Sequence, residues 1–429
     1  MGAFSLDRRS FLGAAAAAPL ISQIAASAER TLPPIPTQSV ATDAGYWEKV
    51  SALYKVSPSI TNFENGYWGV MPEPVREEFK RLSDFVNFEN TVWARPKGGA
   101  ALEEVRVEVA NALGCAKEEI ALTRGATEAL QLLIAGYNRL KPGDKIMYAD
   151  LDYDSMQYAM TWLQGRRGVE LVKFAIPEPA TRANVLAAYE EQLRRHPTTK
   201  LLLLTHISHR TGLMIPVKEI GAMARTAGVD VIVDAAHSWG QIDFKVADLG
   251  VDFVGFNLHK WIGAPLGAGA LYIKASRLAD IDRAYGDEDF KPDDVRSRVH
   301  TGTTNFATFL SVPTALKLHQ EIGPAAKEAR FRHLRDRWVK ASRDIPNLEI
   351  LTPDDPSMAA GITSFRFAGK TTADANNAIV NALRDQHGIM TVRRAGIAKG
   401  HAIRVTPAPF ITEADCDKLS AALRALAKA

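Results

Sequence analysis

Cysteine is scarce: Cys115 and Cys416 are the two thiols in 429 residues, and they lie far apart. They can build neither a disulfide framework nor a cysteine-rich metal site, and no metal-ligand set is read elsewhere. Long apolar runs are missing too. No stretch beyond the N-terminus approaches 18 residues, which excludes a polytopic membrane protein. Charge of one sign is lacking as well: 52 Lys and Arg against 49 Asp and Glu leave a formal net charge of +3, with no block of five or six like charges. Nucleic acid and anionic membrane are therefore not expected as partners. What remains, 46% hydrophobic and 24% charged residues, is ordinary for a folded globular protein. The length suits two or three domains on the usual ~150-residue scale.

The first 28 residues read as an address. Asp7-Arg8-Arg9-Ser10-Phe11-Leu12 opens a charged segment, and Gly13 to Ala26 follows as a weakly apolar, Ala-rich run broken by Pro19. Ala26-Ser27-Ala28 then has the small–x–small pattern of a signal peptidase site. The arginine pair before Ser-Phe-Leu resembles a twin-arginine signal, a bacterial export address. It implies the twin-arginine translocase as partner during export, cleavage after Ala28, a periplasmic location and no integral membrane segment thereafter. The alternative is an Ala-rich N-terminal helix of a cytosolic enzyme. Residues 29–59 read as a linker and N-terminal arm, with Thr31 to Ser39 rich in proline and polar residues.

Beyond the linker, short apolar or β-branched runs alternate with helical spacing. The pattern predicts strands over 120–123, 145–148, 171–174, 201–205, 229–233, 253–256 and 270–273, and helices over 126–137, 155–164, 182–195 and 217–226. Strand–helix alternation with nearly all-apolar strands argues for an α/β fold around a mostly parallel sheet buried on both faces. Residues 60–305 form this large domain. From 306 to about 342 one long helical stretch is expected, leading into a smaller C-terminal α+β domain over 306–429. Its strands lie near 362–367, 389–392 and 403–406, and its last helix spans 413–426. Ligands of such sheets sit at the C-terminal strand ends, so the strand-to-helix loops are the places to search.

Three loops carry unusual polar residues. Thr123-Arg124-Gly125-Ala126-Thr127-Glu128 enters a helix, where free N–H groups could cradle a phosphate, although an ordinary capped helix would read the same. Asp234 closes the strongest central strand. A carboxylate there needs a cationic partner, such as a protonated pyridine nitrogen, or several donors, although a helix-capping Asp is common. Lys260, in Asn257-Leu258-His259-Lys260-Trp261, follows the next strand. Apolar neighbours would lower its amine pKa and favour Schiff-base chemistry, against the plain reading of a solvated loop lysine. The Gly263 to Gly269 segment precedes a strand, so it is no dinucleotide fingerprint, and there is no Walker lysine pattern.

Asp234-Ala235-Ala236-His237 followed by Asn257-Leu258-His259-Lys260-Trp261 resembles the pyridoxal-phosphate enzymes of aminotransferase class V, in particular their isopenicillin N epimerase-like branch. The resemblance runs from about Asn62 to the C-terminus. It implies a pyridoxal-phosphate transferase fold in which Lys260 carries the cofactor and Asp234 pairs with its ring nitrogen. It further implies His237 near the ring oxygen, Ala126, Thr127 and His259 at the phosphate, and Tyr153 stacked on the pyridine. His209 occupies a position that is often Asn in the family, a departure that leaves its role open. Gly302-Thr303-Thr304-Asn305 resembles the segment that reaches the phosphate of a neighbouring subunit, which implies a homodimer with Thr303 at the cofactor. Arg404 matches the arginine that holds a substrate α-carboxylate.

The resemblance implies an enzyme acting at the α-carbon of an amino acid or peptidyl amino acid, by epimerisation or amino transfer, with tailoring of a secondary metabolite or siderophore as one setting. A C–S or C–C lyase of the same fold, kynureninase-like, is the alternative, and a non-catalytic binding protein a third reading. Desulfurases of this class use a cysteine in the loop before the carboxylate arginine. Here that stretch, Val392 to His401, has none.

Overall fold

The computed structural model describes residues 32–428. The address read over residues 1–28 lies outside them. In chain order the strands are Thr61–Asn62 (β1), Ile120–Thr123 (β2), Lys145–Ala149 (β3), Glu170–Phe174 (β4), Thr199–Thr205 (β5), Asp230–Asp234 (β6), Phe253–Asn257 (β7) and Gly269–Ile273 (β8). Leu348–Ile350 (β9), Thr363–Phe367 (β10), Ile389–Met390 (β11), Val392–Arg394 (β12) and Ala402–Val405 (β13) follow.

The large sheet has the order β2-β8-β7-β6-β5-β3-β4. Its strands run parallel except β8, which lies antiparallel between β2 and β7. The all-apolar runs are buried on both faces because side chains alternate across a strand. Leu202, Leu204, Val231 and Val233 enter one core with Val185, Leu193, Ile220 and Ala224 of the helices Arg182–Arg195 and Val217–Thr226. Leu201, Leu203, Ile232 and Phe253 enter the other with Leu130, Leu133, Met156 and Met160 of the helices Ala126–Gly136 and Asp154–Arg167. The fold is therefore α/β with a mostly parallel central sheet, plus a smaller C-terminal domain.

That smaller body is an antiparallel sheet, β12-β13-β10-β9, backed by the helices Pro324–Ser342 and Glu413–Leu426. Trp338, Phe365, Ile403, Leu419 and Leu423 make its core. The last helix starts at a reciprocal cap, Thr412 Oγ1 accepting from Asp415 N–H while Asp415 Oδ2 accepts from Thr412 N–H, at 3.1 and 2.9 Å. Two expectations change. The long helical stretch from 306 divides into Phe306–Leu310, Val312–Ile322 and Pro324–Ser342. Gly323, at φ 85°, turns the chain, and Pro324 starts the next helix because it has no N–H for the preceding one. Residues 61–65 also join the smaller body although they follow the sequence boundary at 60: β1 pairs with β11, and Phe63 lies in the small core.

Candidate active site

The C-terminal ends of β5, β6 and β7 stand side by side, with Thr205 beside Asp234 and Asp234 beside Gly255. Just past them the hairpin from β7 to β8 carries Lys260. Its Nζ lies 3.0 Å from His237 Nε2. On the far side of that ring, Trp261 Nε1–H donates to His237 Nδ1 at 3.4 Å. Indole nitrogen only donates, so Nδ1 accepts and the neutral imidazole carries its proton on Nε2. The Lys260 nitrogen must then accept, which requires the free amine. Burial pushes the Lys260 ammonium down to about 7, Asp234 opposing and Arg404 adding to the fall. Burial, with Lys260 and Arg404 adding, likewise holds His237 neutral, well below the usual imidazole range.

Asp234 is 3% exposed. Its Oδ1 accepts the N–H of Ala236 at 2.9 Å, yet burial still pushes its carboxyl up. Such a carboxylate calls for a buried cation, which a protonated pyridine would supply. Beneath it, Asp152 accepts from Thr205 Oγ1 and from Ala149 N–H, both at 2.7 Å, and burial pushes it up to about 7.

A bare turn lies at the entrance of the helix Ala126–Gly136. A Cβ on Gly269 would fall 2.4 Å from Gly125 Cα, and one on Gly125 would meet Asn257 Oδ1 at 3.0 Å and the His259 ring at 3.2 Å. Only two glycines allow this approach of β8 to the turn. Asn257 Oδ1 already accepts the Ala126 N–H at 2.7 Å, so Thr127 offers the next free amide at the positive end of the helix. His259 is oriented by its Nδ1–H donating to Ala268 O at 3.0 Å, and burial pushes it down to about 4. Glycines that leave room, a helix N-terminus and an imidazole suit a phosphate. Together with Lys260 and Asp234 they fit pyridoxal phosphate end to end.

Tyr153 caps the helix Asp154–Arg167 and is 36% exposed, its ring edge-on to His209 with centroids 5.1 Å apart. His209 is buried, its Nδ1 has no partner among the described residues, and burial pushes it down to about 3. Its backbone oxygen accepts from Arg404 Nη1 at 2.9 Å. Thr303 is exposed on a bend that precedes the helix Phe306–Leu310. Lys260, Asp234, His237, Tyr153, His209 and Arg404 thus gather beyond the strand ends, with Ala126, Thr127 and His259 at the entrance of the helix Ala126–Gly136.

Sequence reasoning missed several members. Glu64, Arg394 and Arg210 surround Arg404 and carry no motif. Lys327 is buried in the long C-terminal helix, where its Nζ donates to Trp261 O at 2.7 Å and lies 3.2 Å from His319 Nδ1, fixing the segment that bears Lys260. A lysine among apolar helix positions was the available signal. Both thiols lie elsewhere: Cys416 is in the small core and Cys115 is half-buried, each pushed up to about 12 by burial.

Comparison with known proteins identifies the family. The chain is 27% identical over 401 residues to isopenicillin N epimerase of Streptomyces clavuligerus, covering 89% of this chain and 98% of that one. It is 31% identical over 262 residues to a cysteine desulfurase of Anaeromyxobacter dehalogenans, covering 60% of each. Among solved structures, a cysteine desulfurase of Thermococcus onnurineus shares the fold with a TM-score of 0.75 at 23% identity, over 89% of this chain and 98% of that one. The model of the family described as Aminotransferase class-V matches residues 92–419. The chain therefore belongs to the class V aminotransferase family, and it is an enzyme whose cofactor is pyridoxal phosphate.

Proposed function

We propose that this enzyme acts at the α-carbon of an amino acid, free or at the end of a peptide, by epimerisation or amino transfer. The observation that carries the reading is the Lys260–His237 contact, which holds a neutral amine at the strand ends beside a buried carboxylate. Bound there, pyridoxal phosphate supplies a cationic ring that takes up the electron pair left when a bond to the α-carbon breaks. Asp234 would keep a proton on the ring nitrogen, while Thr127 N–H and His259 would grip the phosphate. The exposed Tyr153 ring would cover one face of the pyridine. His209, behind Tyr153, and the His237 Nε2–H would bound the side of the ring oxygen. Lys260 Nζ would hold the α-proton on one face, which suffices for amino transfer, whereas epimerisation needs a second donor on the opposite face. Arg404 would orient the substrate by its carboxylate. Likeness over nearly the whole length of an epimerase supports this outcome. Sulfur transfer through a cysteine is opposed by the placement of the two thiols, Cys416 in the small core and Cys115 half-buried beyond the helix Gly99–Leu113.

The enzyme is further proposed to be exported folded by the twin-arginine route and to work as a periplasmic homodimer. Thr303 would then reach the phosphate of the second copy. Incubation in heavy water with a panel of amino acids and N-terminal glutamyl peptides tests the central claim. Proton NMR is expected to show loss of the α-hydrogen signal for at least one compound, and Asp234→Asn should slow that loss more than it weakens cofactor binding. Retention of every α-hydrogen by the loaded enzyme would sink the reading.

A further inference from the structure

Arg404 already has a carboxylate. Its Nη2 donates to both oxygens of Glu64, each at 2.8 Å, and its Nη1 to His209 O at 2.9 Å. Both terminal nitrogens are thereby engaged, and Nε is buried without a partner. The Glu64 turn is built onto the guanidinium, since a Cβ on Gly66 would lie 2.5 Å from Nη2. Its backbone is pinned: Glu64 bridges Thr406, Glu64 N–H donates to Asn62 Oδ1 at 2.8 Å, and Asn65 Nδ2 donates to Thr406 O at 3.0 Å. With the backbone pinned, any exchange of partners must come from the Glu64 side chain.

A second cation stands beside it. Arg394 Nη2 lies 3.2 Å from Glu64 Oε1, and its side chain is 24% exposed where that of Arg404 is 1%. Arg210, the third guanidinium, is committed to Asp154 and to Ala395 O. Arg404 and Arg394 thus share the single carboxylate of Glu64, while Arg210 is matched by Asp154. One carboxylate between two guanidiniums leaves room for a second. A carboxylate that takes the Arg404 fork cannot do so while Glu64 holds it, because two anions would share one guanidinium.

We propose that Glu64 is a tethered competitor for the carboxylate clamp, displaced from Arg404 by the substrate carboxylate and received by Arg394. Glu64 and Arg394 are then specificity-determining residues that set the affinity for carboxylate ligands. This rests on the reading of Arg404 as the substrate clamp.

Propionate, which has a carboxylate and no amine to react, is the probe, and calorimetric titration of the pyridoxal-phosphate-loaded enzyme is the measurement. Glu64→Gln is expected to tighten propionate binding about tenfold, the scale of one charge-assisted contact. Arg394→Gln is expected to weaken it by a similar factor, and to have little effect once Glu64 is already Gln. Glu64→Asp, with its carboxylate drawn back by one methylene, should tighten binding less and serves if the Gln variant does not fold. Unchanged or weaker binding in both Glu64 variants would overturn the proposal. So would an Arg394→Gln loss that persists in the Glu64→Gln background, since Arg394 would then hold the ligand itself. Arg404→Lys separates the two readings: propionate binding that survives it removes the clamp assignment, whereas its loss beside an inert Glu64 removes the competitor alone.

Discussion

At the scale of single residues, the site depends on keeping an amine uncharged. An unperturbed lysine loses its proton at about 10.4. Burial brings Lys260 to about 7, so its reactive fraction rises as the pH climbs through neutrality. The rate at which cofactor-free protein forms a borohydride-fixed adduct with pyridoxal phosphate should therefore climb with a midpoint near that value. The adduct should map to Lys260 by mass spectrometry and vanish in Lys260→Ala. A midpoint near that of free lysine would show the amine to be solvated. The same shift bears on stability. The unfolded chain holds this proton up to about 10.4 and the folded chain releases it near 7, so the burial penalty is full below pH 7 and fades as pH rises between those values. Lys260 and Asp234 were legible because each ends an apolar strand, where a charge stands out. Glu64 and Arg394 were not: their meaning comes from a meeting between the two ends of the chain, and neither has a local pattern.

Elements were read best where burial is two-sided. The runs in β5 and β6 permit little besides strands, and the helix Arg182–Arg195 has the expected bounds. The helices Glu73–Trp93 and Gly99–Leu113 escaped the reading. In the first, Val75, Phe79, Leu82, Val86 and Trp93 do recur at helical spacing on the inward face, but the exposed Phe88 and Val92 interrupt the polar face and blur the pattern. The approach of β8 to the turn at Gly125 was equally silent, because glycine in a Gly-rich segment suggests only a loop. It makes a sharp prediction. Gly269→Ala sets a methyl against the Gly125 backbone, which has no soft side chain to move aside. Urea unfolding should show a loss of about 1–3 kcal/mol, the usual cost of overpacking. Fluorescence titration should show weaker pyridoxal-phosphate binding. Unchanged values for both would mean that the turn is not part of the cofactor cradle.

For the whole molecule, the surface beside the cleft is conspicuously apolar. Trp68 and Leu266 are exposed at a cavity of about 670 Å³ that Met71, Phe79 and Asn305 also line, and the exposed Tyr67 ring packs against Trp68. Patches of this kind mark association, in keeping with the proposed homodimer. Protein recovered from the periplasm is expected to begin at Glu29 and to sediment at twice its chain mass, whereas Leu266→Asp should shift it toward the single-chain mass. Undiminished periplasmic protein after Arg8 and Arg9 are both changed to Lys would refute the export route, and sedimentation at the single-chain mass would refute the dimer. The pairing of β1 with β11 reaches further. Phe63 N–H donates to Met390 O, Thr406 N–H donates to Phe63 O, and Phe63 fills the small core. A ribosome delivers Phe63 long before Met390 and Thr406, so this knot of contacts cannot close until both have emerged. Until then an aromatic side chain waits uncovered near the front of the nascent chain. Any nonsense mutation before Ile389 would leave it that way for good, a mark by which quality control can tell an unfinished copy from a finished one.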